Sequence, residues 1–186
     1  RHRFVLSSSY ELPVGRGKML GTTWHGAPQA ILGGWQLNGI LTLFTGAPFS
    51  PSTSINTLSS GANGQRPDRT SDGNLPSDQQ TIKRWFDVST FGIPALYTYG
   101  NAGRNILTGP GTKQFDLSLF KKFALGKESR RIELRAEAFN LMNTPQFNNP
   151  NASIGSASAG VVSSAGNIQF FQRTSRQVQL AMKLYF

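Results

Sequence analysis

The chain has 186 residues, no cysteine and a formal net charge of +10, with 20 glycines, 10 prolines and 13 phenylalanines. That length suits one ordinary domain or a piece of a larger one, and the lack of cysteine excludes a disulfide framework and thiolate metal sites. No apolar run approaches the roughly 18 residues of a membrane helix, but a barrel strand never makes such a run, so only alternation can report on a membrane.

The chain opens Arg1-His2-Arg3-Phe4, with neither an initiator methionine nor a basic, apolar and small-residue leader, and is expected to be mature protein or to lack its N-terminal part. From Arg3 to Leu12, Phe4, Leu6, Ser8, Tyr10 and Leu12 share one face and Arg3, Val5, Ser7, Ser9 and Glu11 the other, the period of two of a strand. Pro13 to Gly34 then forms a connection with room for a short helical piece around Gln29 to Leu32. Trp35 to Thr45 sets Trp35, Leu37, Gly39, Leu41 and Leu43 against Gln36, Asn38, Ile40, Thr42 and Phe44. The stretch from about Ala47 to Thr112 is rich in Gly, Pro, Ser, Asn and Asp and reads as a long loop. Its Arg66, Arg69, Lys83 and Arg84, with Trp85 and Phe86, could hold an anionic or sugar-like ligand or a lipopolysaccharide phosphate. The same charges equally suit a solvated loop.

Lys113 to Phe123 sets Phe115, Leu117, Leu119 and Phe123 against Gln114, Asp116, Ser118 and Lys122. Lys121 is the one charge in the apolar register, near a strand end where a long stem can snorkel to the interface. Ala124 to Ser129 is a short turn with Gly126 available for a positive φ. From Arg131 to Ala138, Ile132, Leu134, Ala136 and Ala138 oppose Arg131, Glu133, Arg135 and Glu137. A helix would smear these charges around its circumference, so the segment reads as a strand. The charged residues form a lumenal ladder in which opposite charges meet across neighbouring strands, worth about 0.2 to 1 kcal/mol per pair. Asn143 to Ser175 is a second turn-rich loop. Arg176 to Phe186 ends the chain with Val178, Leu180, Met182, Leu184 and Phe186 on one face and Gln177, Gln179, Ala181, Lys183 and Tyr185 on the other. A tilted strand needs about 9 to 11 residues to cross a bilayer, which this segment supplies.

About five strands, near residues 3–12, 34–46, 113–123, 130–140 and 175–186, make the expected fold all-β: an antiparallel up-and-down transmembrane β-barrel fragment with long external loops. Outer-membrane barrels have short periplasmic turns and long outer loops. With Phe186 at the periplasmic side, the short turn falls inside and the loops at about 47–112 and 143–175 fall outside. The connection Pro13 to Gly34 is then periplasmic and longer than the rule expects. In this orientation Tyr10, Trp35, Phe123 and Phe186 gather at the periplasmic strand ends in the lipid-facing register, as an aromatic girdle would. Five strands leave two edges whose backbone groups would meet hydrocarbon unpaired. The chain is thus expected to be part of one barrel domain in the cell outer membrane, completed by strands beyond these residues.

Catalysis is not expected. His2 and His25 have no metal-spaced partner. Gly126-Lys127 fails as a phosphate loop, because the residue five positions before Gly126 is Lys121 and the one after Lys127 is Glu128. Glu133 and Glu137, interleaved with Arg131 and Arg135, read as the ladder and not as paired acids. No cofactor is expected. Nucleic acid is not an expected partner either, since the lysines and arginines are spread over turns, loops and strand ends without one stripe.

Five runs together resemble the C-terminal end of Oar-like TonB-dependent outer-membrane transporters, and they cover nearly the whole chain. These are Gly34-Trp-Gln-Leu-Asn-Gly-Ile-Leu-Thr-Leu-Phe-Thr-Gly-Ala-Pro-Phe49, Gly100-Asn-Ala-Gly-Arg-Asn-Ile-Leu-Thr-Gly-Pro-Gly111, Phe115-Asp-Leu-Ser-Leu-Phe-Lys121, Arg135-Ala-Glu-Ala-Phe-Asn-Leu-Met-Asn143 and Arg176 to Phe186. The resemblance implies a barrel of about 22 strands, closed by an N-terminal plug and energised through the TonB complex, that imports a solute. Plug, TonB-contacting box and any carboxypeptidase-regulatory-like domain are absent from these residues. The alternating Val178, Leu180, Met182, Leu184 and Phe186 resemble the signal read by the barrel-assembly machinery, which adds strands at an edge. Expected partners are therefore outer-membrane lipid, the rest of the barrel and its plug, the TonB complex and the assembly machinery. Two alternatives differ in class: a structural or adhesive outer-membrane barrel, and a soluble basic β-sandwich that binds glycan or nucleic acid.

Overall fold

The computed structural model describes residues 2–59, 64–125, 130–166 and 174–186. In chain order the elements are β1 (Arg3–Glu11), α1 (Ala27–Leu32), β2 (Trp35–Phe44), β3 (Pro48–Phe49), β4 (Ser52–Thr53), β5 (Asp68–Arg69), a 3-10 turn (Val88–Thr90), β6 (Phe91–Gly92), β7 (Leu107–Thr108), β8 (Thr112–Ala124), β9 (Arg131–Phe139), β10 (Ser153–Ile154) and β11 (Gln177–Tyr185). The five long strands coincide with the alternating segments, and α1 fills the place where a helical piece was expected. Gly126 lies outside the described residues, although Leu125 N donates to Arg130 O at 2.8 Å across the short turn.

The long strands form one sheet in the order β1-β2-β8-β9-β11. Each strand lies beside its predecessor among the long strands, which is the up-and-down connectivity. Its register places like with like. Leu117, Leu119 and Phe123 stand opposite Ala138, Ala136 and Ile132, and those three oppose Val178, Leu180 and Leu184 of β11. A one-residue slip would move every one of these side chains to the other face, so the apolar register is set on three strands at once. Among the described residues no helix is long and apolar enough to cross a membrane.

The chain divides into two compact units, one comprising the sheet and α1, the other drawn chiefly from Phe44–Thr112 and Pro145–Gln172. The second unit corrects the picture of open, solvated loops. Phe49, Phe86, Phe91, Ala102, Leu107 and Ile154 form a buried cluster. Phe86 meets Phe49 and Phe91 edge-on, with ring centroids 5.9 and 6.0 Å apart, a favoured aromatic geometry. Burying one such ring stabilises by about 1.5–3 kcal/mol. Three two-stranded sheets hold the cluster: β3 with β7, β5 with β6, and β4 with β10. The first of these requires glycine, because a Cβ on Gly46 would run into the carbonyl oxygen of Gly109.

Candidate functional site

On the sheet's apolar face, Val178, Leu180, Met182 and Leu184 are exposed and Phe186 is 96% exposed. A groove of about 430 Å³ opens on this face beside Trp35, Leu119, Leu134, Leu180 and Met182. In water such a continuous apolar surface is unfavourable; in hydrocarbon it is the required one. Gly39 keeps the face shallow at one point, because a Cβ there would lie 3.3 Å from both the Phe115 ring and Ser8 Oγ.

The four girdle aromatics meet at one end of the sheet. Leu12 N donates to Trp35 O at 2.9 Å, which places the end of β1, with Tyr10, beside the start of β2. The Trp35 and Phe123 rings lie 4.9 and 5.1 Å from a shared cation, Lys121 Nζ. Phe123 stands opposite Ile132, Ile132 opposite Leu184, and Phe186 follows two positions on.

Lys121 corrects the snorkelling expectation. It is 2% exposed, and its Nζ donates to Ile31 O at 2.9 Å and Gly33 O at 2.6 Å. These are carbonyls at the C-terminal end of α1, where backbone acceptors have no intrahelical donor and a cation is favoured. The ammonium is thus satisfied by protein. Alternation locates this lysine, but its partners, 88 and 90 residues away, leave no mark in the pattern.

The opposite face carries the four ladder residues, and their pairing differs from expectation. Glu133 is 4% exposed and pairs with Arg135 on its own strand. Across the strands it stands opposite Lys122 of β8 and Lys183 of β11. Arg131 and Arg135 lie over rings instead of carboxylates on adjacent strands: Arg131 is 4.1 Å from the Tyr185 centroid and Arg135 is 4.8 Å from that of Phe120. Glu137 faces Ser118 and Gln179. Among the four ladder residues, opposite charges therefore meet across described strands at Glu133, because the register brings aromatic or small residues to the two arginines.

The loop cations are not equivalent. Arg69 donates from Nε to Ser71 O at 2.7 Å and lies 3.7 Å from Asp72. Arg84 reaches Asp87 at 3.1 Å. The Asn74 backbone and side-chain donors hold the Asp72 carboxyl below its ordinary range, and the Ser89 hydroxyl does the same for Asp87, so both acids stay charged beside their arginines. Arg66 and Lys83 are exposed. Trp85 is committed to the loop unit: it packs against the buried cluster and donates from Nε1 to Thr108 O at 2.9 Å. Phe86 lies inside the cluster. Among the described residues no group of three His, Asp or Glu side chains could hold a metal ion.

Two joints have no single-residue signal. The Asn140 backbone N–H donates to Asp116 Oδ1 at 2.7 Å, and Leu141 N donates to Phe115 O at 2.8 Å. In the loop unit, Pro48 and Phe49 pair with Thr108 and Leu107.

No curated protein and no solved structure matches the chain. A family model described as an outer membrane beta barrel domain matches residues 1–179, which takes in four of the long strands, both loops and the start of β11. The soluble sandwich is thereby excluded, and the exposed apolar face has its solvent. The chain belongs to the outer membrane β-barrel domain family, and its place is the cell outer membrane.

Proposed function

We propose that this section of barrel wall belongs to a TonB-dependent transporter that imports a solute. The observation that carries the reading is how the transporter-like runs meet in space. Gly34–Phe49 joins Gly100–Gly111 through the β3–β7 pair, and Phe115–Lys121 joins Arg135–Asn143 through Asp116 and Asn140. Runs that resemble one family in order are also mutual partners in the fold, which is what shared architecture entails. Among the described residues β1 and β11 are the two edges of the sheet, and closure in hydrocarbon demands further strands. In this reading the plug and the energy-coupling contact lie outside these residues, and the girdle end faces the periplasm. Of Arg66, Arg69, Lys83 and Arg84, Arg66 and Lys83 are the two exposed cations with no ion pair among the described residues, and these are the ones able to recruit an anionic solute.

The test is solute accumulation by cells carrying the intact protein, with and without a functional TonB complex. Loss of accumulation on removing the complex supports the proposal; uptake indifferent to it refutes energised transport. Reversing Arg66 and Lys83 to glutamate should lower uptake of an anionic solute and spare a neutral one. Equal uptake of both would assign these charges to solvation alone.

A further inference from the structure

The connection between β1 and β2 carries a hydrophobic pattern turned inside out. In α1, Ala27-Pro-Gln-Ala-Ile-Leu32, every residue except Gln29 is exposed, Ile31 at 65% and Leu32 at 50%. The one polar side chain turns toward the connection, where Gln29 Oε1 accepts a hydrogen bond from Arg16 N at 2.6 Å. A helix lying on a protein in water does the reverse, burying its apolar stripe and showing its polar residues. The chain also has no charged residue from Gly26 to Gln65, so nothing on α1 opposes entry into an apolar medium.

The position of α1 names that medium. Lys121 belongs to the lipid-side register of β8, between Leu119 and Phe123, and its ammonium holds the carbonyls of Ile31 and Gly33. Trp35 Nε1 donates to Ile31 O as well, at 2.9 Å. Two donors on the apolar side of the sheet thus clamp the C-terminal end of α1 there. The level is that of Tyr10, Trp35, Phe123 and Phe186, where aromatic rings mark a membrane interface. These bonds tether the exposed α1 beside the lipid-side register of β8.

We infer that α1 is an in-plane membrane anchor: its apolar face enters the phospholipid interface at the girdle end, and Lys121 pins it to the outside of the barrel. This gives the long β1–β2 connection a physical role and does not depend on what the barrel transports.

These 186 residues hold no cysteine, so the test needs only that any cysteine of the intact protein outside them be replaced by serine. Ile31→Cys and Leu32→Cys are introduced singly into the intact protein, labelled with an environment-sensitive fluorophore and reconstituted in phosphatidylcholine vesicles. Quenchers are aqueous iodide and phospholipids spin-labelled near the headgroup or at the chain end. Interfacial depth, roughly 5–10 Å into the headgroup and acyl boundary, predicts blue-shifted emission, quenching mainly by the headgroup-proximal label and little by iodide. Strong iodide quenching would overturn the proposal, as α1 would lie in water. Blue-shifted emission immune to both lipid quenchers would also overturn it, as protein would then cover α1. In Lys121→Met, lipid quenching at position 31 should fall by about half or more as the pinned segment is released, while a label at Leu180→Cys stays unchanged. Unchanged quenching at position 31 would refute the pin.

Discussion

Replacing Asn140 isolates the joint at the end of β9. The residue is fully buried, holds φ at 49°, donates from Nδ2 to Thr144 O at 2.9 Å and accepts at Oδ1 from Thr144 N at 3.1 Å. Asn140→Gly keeps the left-handed backbone and removes the two side-chain bonds to Thr144. At about 0.5–1.5 kcal/mol net per bond, the loss is roughly 1–3 kcal/mol. Asn140→Ala removes the same bonds but, unlike glycine, keeps a Cβ in the left-handed region, which costs about 1–2 kcal/mol relative to Asn140→Gly. Alanine's smaller entropy in the unfolded chain offsets about 0.4–1 kcal/mol of that. The expected order is parent, then Asn140→Gly, then Asn140→Ala, with the variants up to about 1.6 kcal/mol apart. The assay is a guanidinium titration of the intact barrel in phosphocholine vesicles, read by tryptophan fluorescence with reversibility checked. Asn140→Ala proving more stable than Asn140→Gly would refute the strain argument; both lying within about 0.5 kcal/mol of the parent would refute the joint itself.

Three further outcomes are expected. Glu133→Gln leaves Arg135 without its carboxylate and Lys122 and Lys183 on either side of a neutral residue; it should cost about 1.5–3 kcal/mol. Adding Arg135→Met should recover part of this, and a coupling below about 0.3 kcal/mol in the double-mutant cycle would show the pair to be independent. Asp87 caps the 3-10 turn through Ser89, and its native carboxyl is held below the ordinary 3.8. A depressed carboxyl stabilises the native state above its unfolded value and loses that contribution as pH falls through the lower native one. Protection of the Ser89 and Thr90 amides, corrected for intrinsic exchange, should therefore decline below pH 3.8, and Asp87→Asn should abolish this dependence at a cost of about 1 kcal/mol. Deleting Phe186 from the intact protein should reduce the amount assembled in the outer membrane; unchanged assembly would show that it serves the interface alone.

Alternation made the wall legible because each crossing strand needs its apolar side chains two apart, and β11 needs them in every turn of the pleat. The same logic assigns Tyr10, Trp35, Phe123 and Phe186 to one end of their strands, a reading that needs only strand direction and the period of two. It could not reveal the loop unit, whose core draws Phe49, Phe86, Leu107 and Ile154 from four separated places, held by two-residue strands too short to show a period. Turn-rich composition looks the same whether a loop is solvated or folded about a few rings. The ladder was only half visible for a related reason: the pattern assigns Arg131 and Arg135 to a face, but register decides that their neighbours are Tyr185 and Phe120. Lys121 and Asn140 were hidden most completely, since what they do depends on backbone groups, which every residue has.

Parallel pairing of β4 with β10 sets Ser52 beside Ser153 and Thr53 beside Ile154, so one segment of each loop is stitched to the other. Ile154 then completes the cluster begun by Phe49 and Leu107. Neither loop can be shortened, grafted or exchanged alone without exposing the partner's apolar interior. A chimera that swaps surface specificity between barrels would have to carry both segments together, and an antibody or protease that opens one should loosen the other.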